Sequence, residues 1–221
     1  MIVAIDGPAG TGKSTVAKTV ARRAGYFHLN SGALYRAITW HVLSSGIDPL
    51  DKDAVVAAAG AIRIDAADDC LIINDVERRT ELRTREVDNH VAELSSIQGV
   101  RDVVNDHLRR IANGRDIVAE GRDMTTVVFP DAQVRIYLDA SLDARARRRY
   151  EDLGESVPLE TVKAEMKERD HIDSTKPVGR LIVDPSAMYI DTSLLTIDQV
   201  CEIVLRAILS QNHTTGAFRQ S

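Results

Sequence analysis

Ile2-Val-Ala-Ile-Asp-Gly-Pro-Ala-Gly-Thr-Gly-Lys-Ser-Thr15 is the stretch whose reading decides the fold. Ile2 to Ile5 form a short apolar run, as expected for a strand covered on both faces. Gly7, Gly12, Lys13 and Ser14 then fit G-x-x-x-x-G-K-[ST] without a mismatch. Val16, Ala17, Val20, Ala21 and Ala24 recur along one side of a helix that Gly25 closes. Glycines let successive backbone N–H groups converge on an anion, and the helix N-terminus adds partial positive charge. A lysine at position 13 can reach the β/γ-phosphates, and a hydroxyl at position 14 can ligate Mg²⁺. The loop Gly7, Pro8, Ala9, Gly10, Thr11, Gly12, Lys13, Ser14, Thr15 is therefore the expected cradle of a nucleoside triphosphate, with Ser14 as its metal-binding side chain.

The remaining chain sets bounds on that reading. Its 221 residues leave room for one large domain with insertions, and a hydrophobic share of 44% is ordinary for a globular protein. A net charge of −5 argues against a nucleic-acid partner, whose footprint would be strongly basic. The 28 basic residues comprise 22 arginines and only 6 lysines, and arginine presents a rigid fork that matches phosphate oxygens. Codon bias would give the same count, so position must decide. Cys70 and Cys201 lack zinc spacing and suit a reducing cytoplasm. Neither a secretory leader nor a membrane span is expected, because the first apolar run stops at Asp6 and no run of about 18 apolar residues follows.

Taken in order, the periodicity predicts a strand at 27–29 and a helix over 31–46 capped by Ser31. Arg36 faces away from the buried stripe of that helix. An alanine-rich helix over 53–60 and paired strands at 61–64 and 70–73 around the turn 67–69 follow, then a charged segment over 77–89. A helix over 100–112, strands at 117–119 and 134–138 and a helix capped by Ser141 come next. A helix runs from Pro158 to about Asp173 and stops before Pro177, because a residue preceding proline leaves α geometry. A fifth strand at 188–190 and a last helix with a Thr196/Gln199 capping box complete the pattern, with a frayed end after about Gln211. Five strands alternating with helices make an α/β sandwich with a parallel sheet, interrupted by a small α+β insertion.

Two further groups carry chemistry. Glu120-Gly-Arg122-Asp123 stands at the C-terminal end of a strand, where open α/β sheets bind ligands, and Glu120 can orient Mg²⁺ or its waters. Arg169, Asp173 and Lys176 share one helix face, either as a surface ion-pair ladder or as part of a site. The arginines from Arg145 to Arg149 read either as a solvated helix face or as a mobile cationic one.

These segments together resemble the bacterial cytidylate kinases of the adenylate-kinase-like P-loop family. The resemblance rests on the phosphate loop, on Ser31-Gly-Ala-Leu-Tyr-Arg36, on Glu81-Leu-Arg83 with Glu86-Val87, on Gly121-Arg-Asp-Met124 with Thr126-Val-Val-Phe-Pro-Asp131, and on Glu168-Arg-Asp-His-Ile-Asp-Ser-Thr175. It implies a three-layer P-loop NTPase sandwich with a five-stranded parallel sheet. The implied core spans 1–58, 100–145 and 177–221, with a nucleoside monophosphate-binding insertion over 59–99 and a short lid over 146–176. It also implies roles: Ser31, Arg101 and Asp123 read the base, Arg36, Arg122 and Arg169 bind phosphate, and Asp173 holds the ribose. Lys176, at a position where arginine is usual, keeps the charge but loses the fork. Ala92 and Thr125 stand where serine and glycine are usual. The implied reaction is γ-phosphoryl transfer from ATP, with Mg²⁺, to CMP or dCMP, catalysed by Lys13, Arg36, Arg122 and Arg169, in a cytoplasmic monomer. Rival readings are a P-loop kinase for another small acceptor, with Asp6 as base for an alcohol, and a nucleotide-dependent binding switch. The chain has no Asn-Lys-x-Asp guanine-reading segment, which counts against the switch.

Overall fold

A computed structural model describes the backbone of residues 1–67 and 70–217, and side chains up to Gln211. Its chain falls into two compact units, 1–28 with 116–176 and 180–221, and 29–115 with 177–179.

The first unit is built on the expected phosphate-loop frame. Strand β1 (Ile2–Asp6) leads through the loop into α1 (Lys13–Ala24). Gly12 and Gly25 bound that helix, both in the left-handed conformation. Strand β2 (Phe27–Asn30) leads the chain out, and the unit resumes with β6 (Ile117–Gly121). A π-helical turn (Met124–Val128), β7 (Val134–Asp139), α6 (Leu142–Asp152), α7 (Leu159–Thr175), β8 (Met188–Asp191) and α8 (Ile197–Ala217) follow. The strand order is β2-β6-β1-β7-β8, and β1 runs parallel to both β6 and β7, as β7 does to β8. Val3 and Ile5 alternate onto the face that holds Val118, Ile136 and Leu138, and α1 and α8 cover it with Val16, Val20, Val200 and Val204. Ala4, on the opposite pleat, is equally buried, which is why β1 reads as an unbroken apolar run.

The second unit contains α2 (Ser31–Ser44), α3 (Lys52–Ala61), β3 (Ile64–Ala67), β4 (Cys70–Ile73), β5 (Val76–Arg78), a 3-10 turn (Glu81–Arg83), α4 (Arg85–Leu94) and α5 (Gln98–Ala112). Strands β3, β4 and β5 form an antiparallel sheet.

Several local expectations shift. Asn30, not Ser31, caps α2: its backbone is still extended and its side-chain oxygen accepts from Ala33 N at 3.0 Å, while Ser31 is already helical. The alanine-rich helix runs on to Ala61, so β3 starts three residues later than the pattern suggests. Asp68 and Asp69 of the expected turn lie outside the described residues. The charged segment is not irregular. It holds β5 and α4, whose cap Thr84 accepts from Val87 N at 3.3 Å and whose Val87 and Leu94 are buried seven residues apart. Helix α7 ends at Thr175, with Lys176 extended before Pro177. Helix α8 is described through Ala217, beyond the expected frayed point, and residues 218–221 lie outside the described residues. Among the described residues no helix is long and apolar enough to cross a membrane.

The β1–loop junction is sterically closed. Gly7 has φ 149°, and a Cβ there would lie 2.0 Å from the Leu138 carbonyl oxygen. Gly25, at φ 71°, has nothing within 4 Å of its missing Cβ. Gly25→Ala should cost about 1 kcal/mol, the left-handed penalty alone, whereas Gly7→Ala must displace backbone of β7 and should cost more than about 3 kcal/mol. Urea unfolding of the two variants measures the difference.

Candidate functional site

In the first unit the site starts from Asp6, at the end of β1. Its carboxylate is fully buried and accepts from Met124 N and Thr125 N, each at 2.8 Å, and from the Thr125 hydroxyl at 2.7 Å. Burial pushes this carboxyl up from the usual range, and the three donors pull against it. Val127 N and Val128 N bond back to the Asp123 carbonyl, and Phe129 N to Met124 O, which closes the π-helical turn. Asp6 thus fixes the segment that follows Glu120-Gly-Arg-Asp123 against the phosphate loop. Thr125 supplies two of the three bonds.

Lys13 opens α1 and is only 6% exposed. Its ammonium donates to the Pro8 carbonyl at 2.6 Å and to the Thr11 hydroxyl at 3.4 Å. Burial, and then the Arg122 guanidinium, hold Lys13 well below the usual lysine range; Arg169 adds to this, while Glu120 and Asp6 oppose it. So the loop, the end of β6 and helix α7 bring three cationic side chains, Lys13, Arg122 and Arg169, into one electrostatic neighbourhood.

Ser14 lies beside Lys13, and its hydroxyl donates to Glu120 Oε2 at 2.7 Å. That bond takes the hydroxyl hydrogen and turns the serine oxygen lone pairs toward other uses. A hydroxyl and a carboxylate are the oxygen donors that a hard divalent cation accepts, so these residues fit Mg²⁺. Among the described residues no group of three or more His, Cys, Asp or Glu side chains converges on a point. Mg²⁺ here would take its other ligands from phosphate and water, the usual habit of this ion.

Arg122 donates through Nε to Asp173 Oδ2 at 2.8 Å, and Lys176 Nζ donates to Asp173 Oδ1 at 3.2 Å. Burial works to raise the Asp173 carboxyl, but Arg122 and Lys176 outweigh it and hold it below the usual carboxylate range. Asp173 and Lys176 therefore join Arg122 rather than forming an isolated surface ladder, while the exposed Arg169 acts on Asp173 electrostatically. Asp123 is buried beside them in sequence, preceding the turn.

The arginine-rich face of α6 divides. Arg145 is buried: it forms a two-point pair with Asp170 of α7 at 3.0 and 2.7 Å, and donates to the Ala140 and Ala9 carbonyls. It braces the phosphate loop itself. Arg148 donates to Thr192, whose hydroxyl bonds Thr11 O at 3.3 Å. Arg147 and Arg149 are exposed. The brace had a signal in the sequence, since Arg145 falls three residues after Leu142 and beside the buried Ala146. His28, whose Nε2 lies 3.1 Å from Glu120 Oε1, had almost none.

In the second unit, Ser31 and Arg101 are buried. Arg101 donates to Ser95 O at 3.1 Å, lies 5.5 Å from the centre of the Tyr35 ring, and packs against Gly179. Arg36 donates to Leu82 O at 3.3 Å and pairs with Asp88 at 2.5 Å, so it is half-buried rather than a solvated surface residue.

Comparison with known proteins follows this geometry. A family model described as cytidylate kinase matches residues 3–210. A cytidylate kinase of Rhodopirellula baltica is 41% identical over 94% of this chain and 92% of its own length. One from Mycobacterium avium is 44% identical, over 91% and 92% respectively. Among solved structures, an uncharacterized protein from Eubacterium ventriosum superposes with a TM-score of 0.51 at 16% identity, covering 95% of this chain and 99% of the other, a likeness of fold.

Two outcomes follow from the charges. Lys13→Met removes an ammonium that burial and two arginines disfavour, so thermal unfolding should move up by about 2–4 °C while turnover falls at least ~10³-fold. Asp173 has a lowered folded pKa, so its contribution is present above its ordinary value of 3.8 and is lost as pH falls from there through the lowered value. Asp173→Asn should cost about 1–3 kcal/mol at pH 6, and the gap to the parent should shrink below about pH 4 in urea unfolding at stepped pH.

Proposed function

The chain belongs to the cytidylate kinase family, and from that premise we propose that it transfers the γ-phosphoryl group of ATP to CMP or dCMP, giving ADP and CDP or dCDP. The observation that carries the mechanism is the buried Lys13 ammonium at the head of α1, folded onto the Pro8 carbonyl of its own loop, with Arg122 and Arg169 acting on it electrostatically. Three mutually repelling cations at a phosphate loop suit an anion better than they suit each other. The backbone from Gly7 to Thr15 cradles the ATP phosphates, and Lys13 contacts the β/γ-oxygens. Ser14, with Glu120 behind it, would hold Mg²⁺, whose charge would add to the neutralisation of the phosphates.

A phosphate monoester oxygen of CMP is already a nucleophile, so no side chain need remove a proton. The protein's work is alignment and charge stabilisation, by Lys13, Arg36, Arg122 and Arg169. Ser31, Arg101 and Asp123 read the cytosine, Asp173 holds the sugar hydroxyls, and Lys176 keeps Asp173 ionised beside Arg122. The division into core, insertion over 59–99 and lid over 146–176 describes which parts move together on closure, a different property from compactness. Closure excludes water that would otherwise accept the phosphoryl group. The enzyme acts as a cytoplasmic monomer.

An alcohol acceptor would need a base, and Asp6 supports that rival poorly. Both its oxygens already accept from Met124 and Thr125.

A coupled assay with CMP, dCMP, UMP and AMP tests the reading. CMP or dCMP should exceed UMP and AMP by at least ~10²-fold in kcat/KM, and a CMP-to-UMP ratio near one overturns the cytosine assignment. Arg36→Ala and Arg169→Ala should each lower kcat ~10²-fold or more with ATP affinity nearly intact. Collapse of ATP binding would count against their placement on the acceptor.

A further inference from the structure

His28 belongs to no motif, yet it is tied to the loop chemistry through one intervening side chain. Strands β2 and β6 are neighbours in the sheet, and Phe27 N bonds Asp116 O at 2.8 Å, which sets β2 beside the start of β6. That pairing brings the His28 ring to Glu120: Nε2 lies 3.1 Å from Oε1, with the two side chains only 16% and 5% exposed. The other Glu120 oxygen receives the Ser14 hydroxyl at 2.7 Å. A carboxylate can only accept, so Nε2 is the ring nitrogen that carries the hydrogen. The two oxygens thus have separate partners, one on β2 and one at the start of α1.

A glutamate has several rotatable bonds, and this one has an alternative attraction. Glu120 acts electrostatically on Lys13, so an unrestrained carboxylate could turn toward that ammonium. A donor on Oε1 opposes the turn and keeps Oε2 directed at Ser14. Groups that orient the carboxylates and hydroxyls around a metal typically alter metal affinity by 10–100-fold.

From this relay we infer that His28 is a positioning residue for Mg²⁺-dependent phosphoryl transfer, acting through Glu120 on the Ser14 side of the phosphate loop. The inference rests on the kinase reading given above, and its test separates the two. His28→Leu removes the donor and keeps the bulk. His28→Gln restores an N–H near the place of Nε2, whereas His28→Asn puts one too short to reach. Calorimetric titration of Mg²⁺ into the enzyme–ADP complex should show binding weakened ~10–100-fold in the Leu and Asn variants and returned to within ~3-fold of the parent in the Gln variant. The Mg²⁺ concentration that half-saturates turnover should move in parallel, with KM for CMP unchanged. Should the Leu variant fail to fold, the Gln and Asn pair carries the comparison. Parent-like Mg²⁺ binding in the Asn variant overturns the inference, as does a Gln variant as impaired as Asn. If the parent enzyme itself neither phosphorylates CMP nor binds ADP more tightly with Mg²⁺, the reading beneath the inference fails instead.

Discussion

A lysine ammonium removed from water beside two guanidinium groups is an unfavourable arrangement, and the first unit holds it in place all the same. Desolvation disfavours the charged form of Lys13, and Arg122 and Arg169 disfavour it further. In the protein alone, the Pro8 carbonyl and the Glu120 and Asp6 charges, each acting more strongly than Arg169, offset part of this. An anion meeting the loop backbone would offset more of it, because its charge opposes that of the buried Lys13 and of the arginines that act on it. Strain of this kind is what binding energy relieves when a buried charge gains an opposite partner.

Holding such a cluster requires a rigid surround, and the surround is made of hydrogen bonds to groups that periodicity ignores. Gly7 lets β1 enter the loop against the Leu138 carbonyl. Asp6 clamps the turn that follows Arg122. Arg145 joins Asp170 on α7 to the Ala9 carbonyl within the loop, and Arg148 reaches the same loop through Thr192 and Thr11. Each brace is partly or wholly buried, where a lost partner costs more than the bond is worth in water. Helix α7 is therefore connected to the loop by a charge pair that already has its partner. Arg145 and Arg148 hold structure, which leaves the exposed Arg147 and Arg149 as the cations of α6 without that duty.

The frame was legible because it follows from repeating local patterns. An apolar run, a fixed glycine spacing and an amphipathic helix put β1, the loop and α1 where they are, and capping pairs such as Thr196 with Gln199 form as their spacing implies. What was not legible depends on pairing between distant segments. Asn30 outcompetes Ser31 as a cap because the chain is still extended there, which only the end of β2 determines. The helix in 85–94 hides behind a high charge density, since only Val87 and Leu94 are fully covered. In the site, Lys13 and Ser14 follow from a motif and the Asp173–Lys176 pair from helical spacing, but nothing local says that Glu120 accepts from Ser14 or that Arg122 joins Asp173. Strand order sets Glu120 of β6 beside the strand that leads into Ser14, and order is a property of the whole sheet.

That Asp173 is shared also bears on the departure at position 176. Each carboxylate oxygen takes one donor, Nε of Arg122 on one side and the Lys176 ammonium on the other. A lysine is a point charge and needs only one oxygen; an arginine at the same place would match both oxygens with its fork and compete with Arg122 for them. With lysine there, Arg122 keeps its Nε bond to Asp173, and its charge also acts on Lys13. The substitution therefore leaves Asp173 ionised by two cations, with Arg122 engaging it through Nε alone.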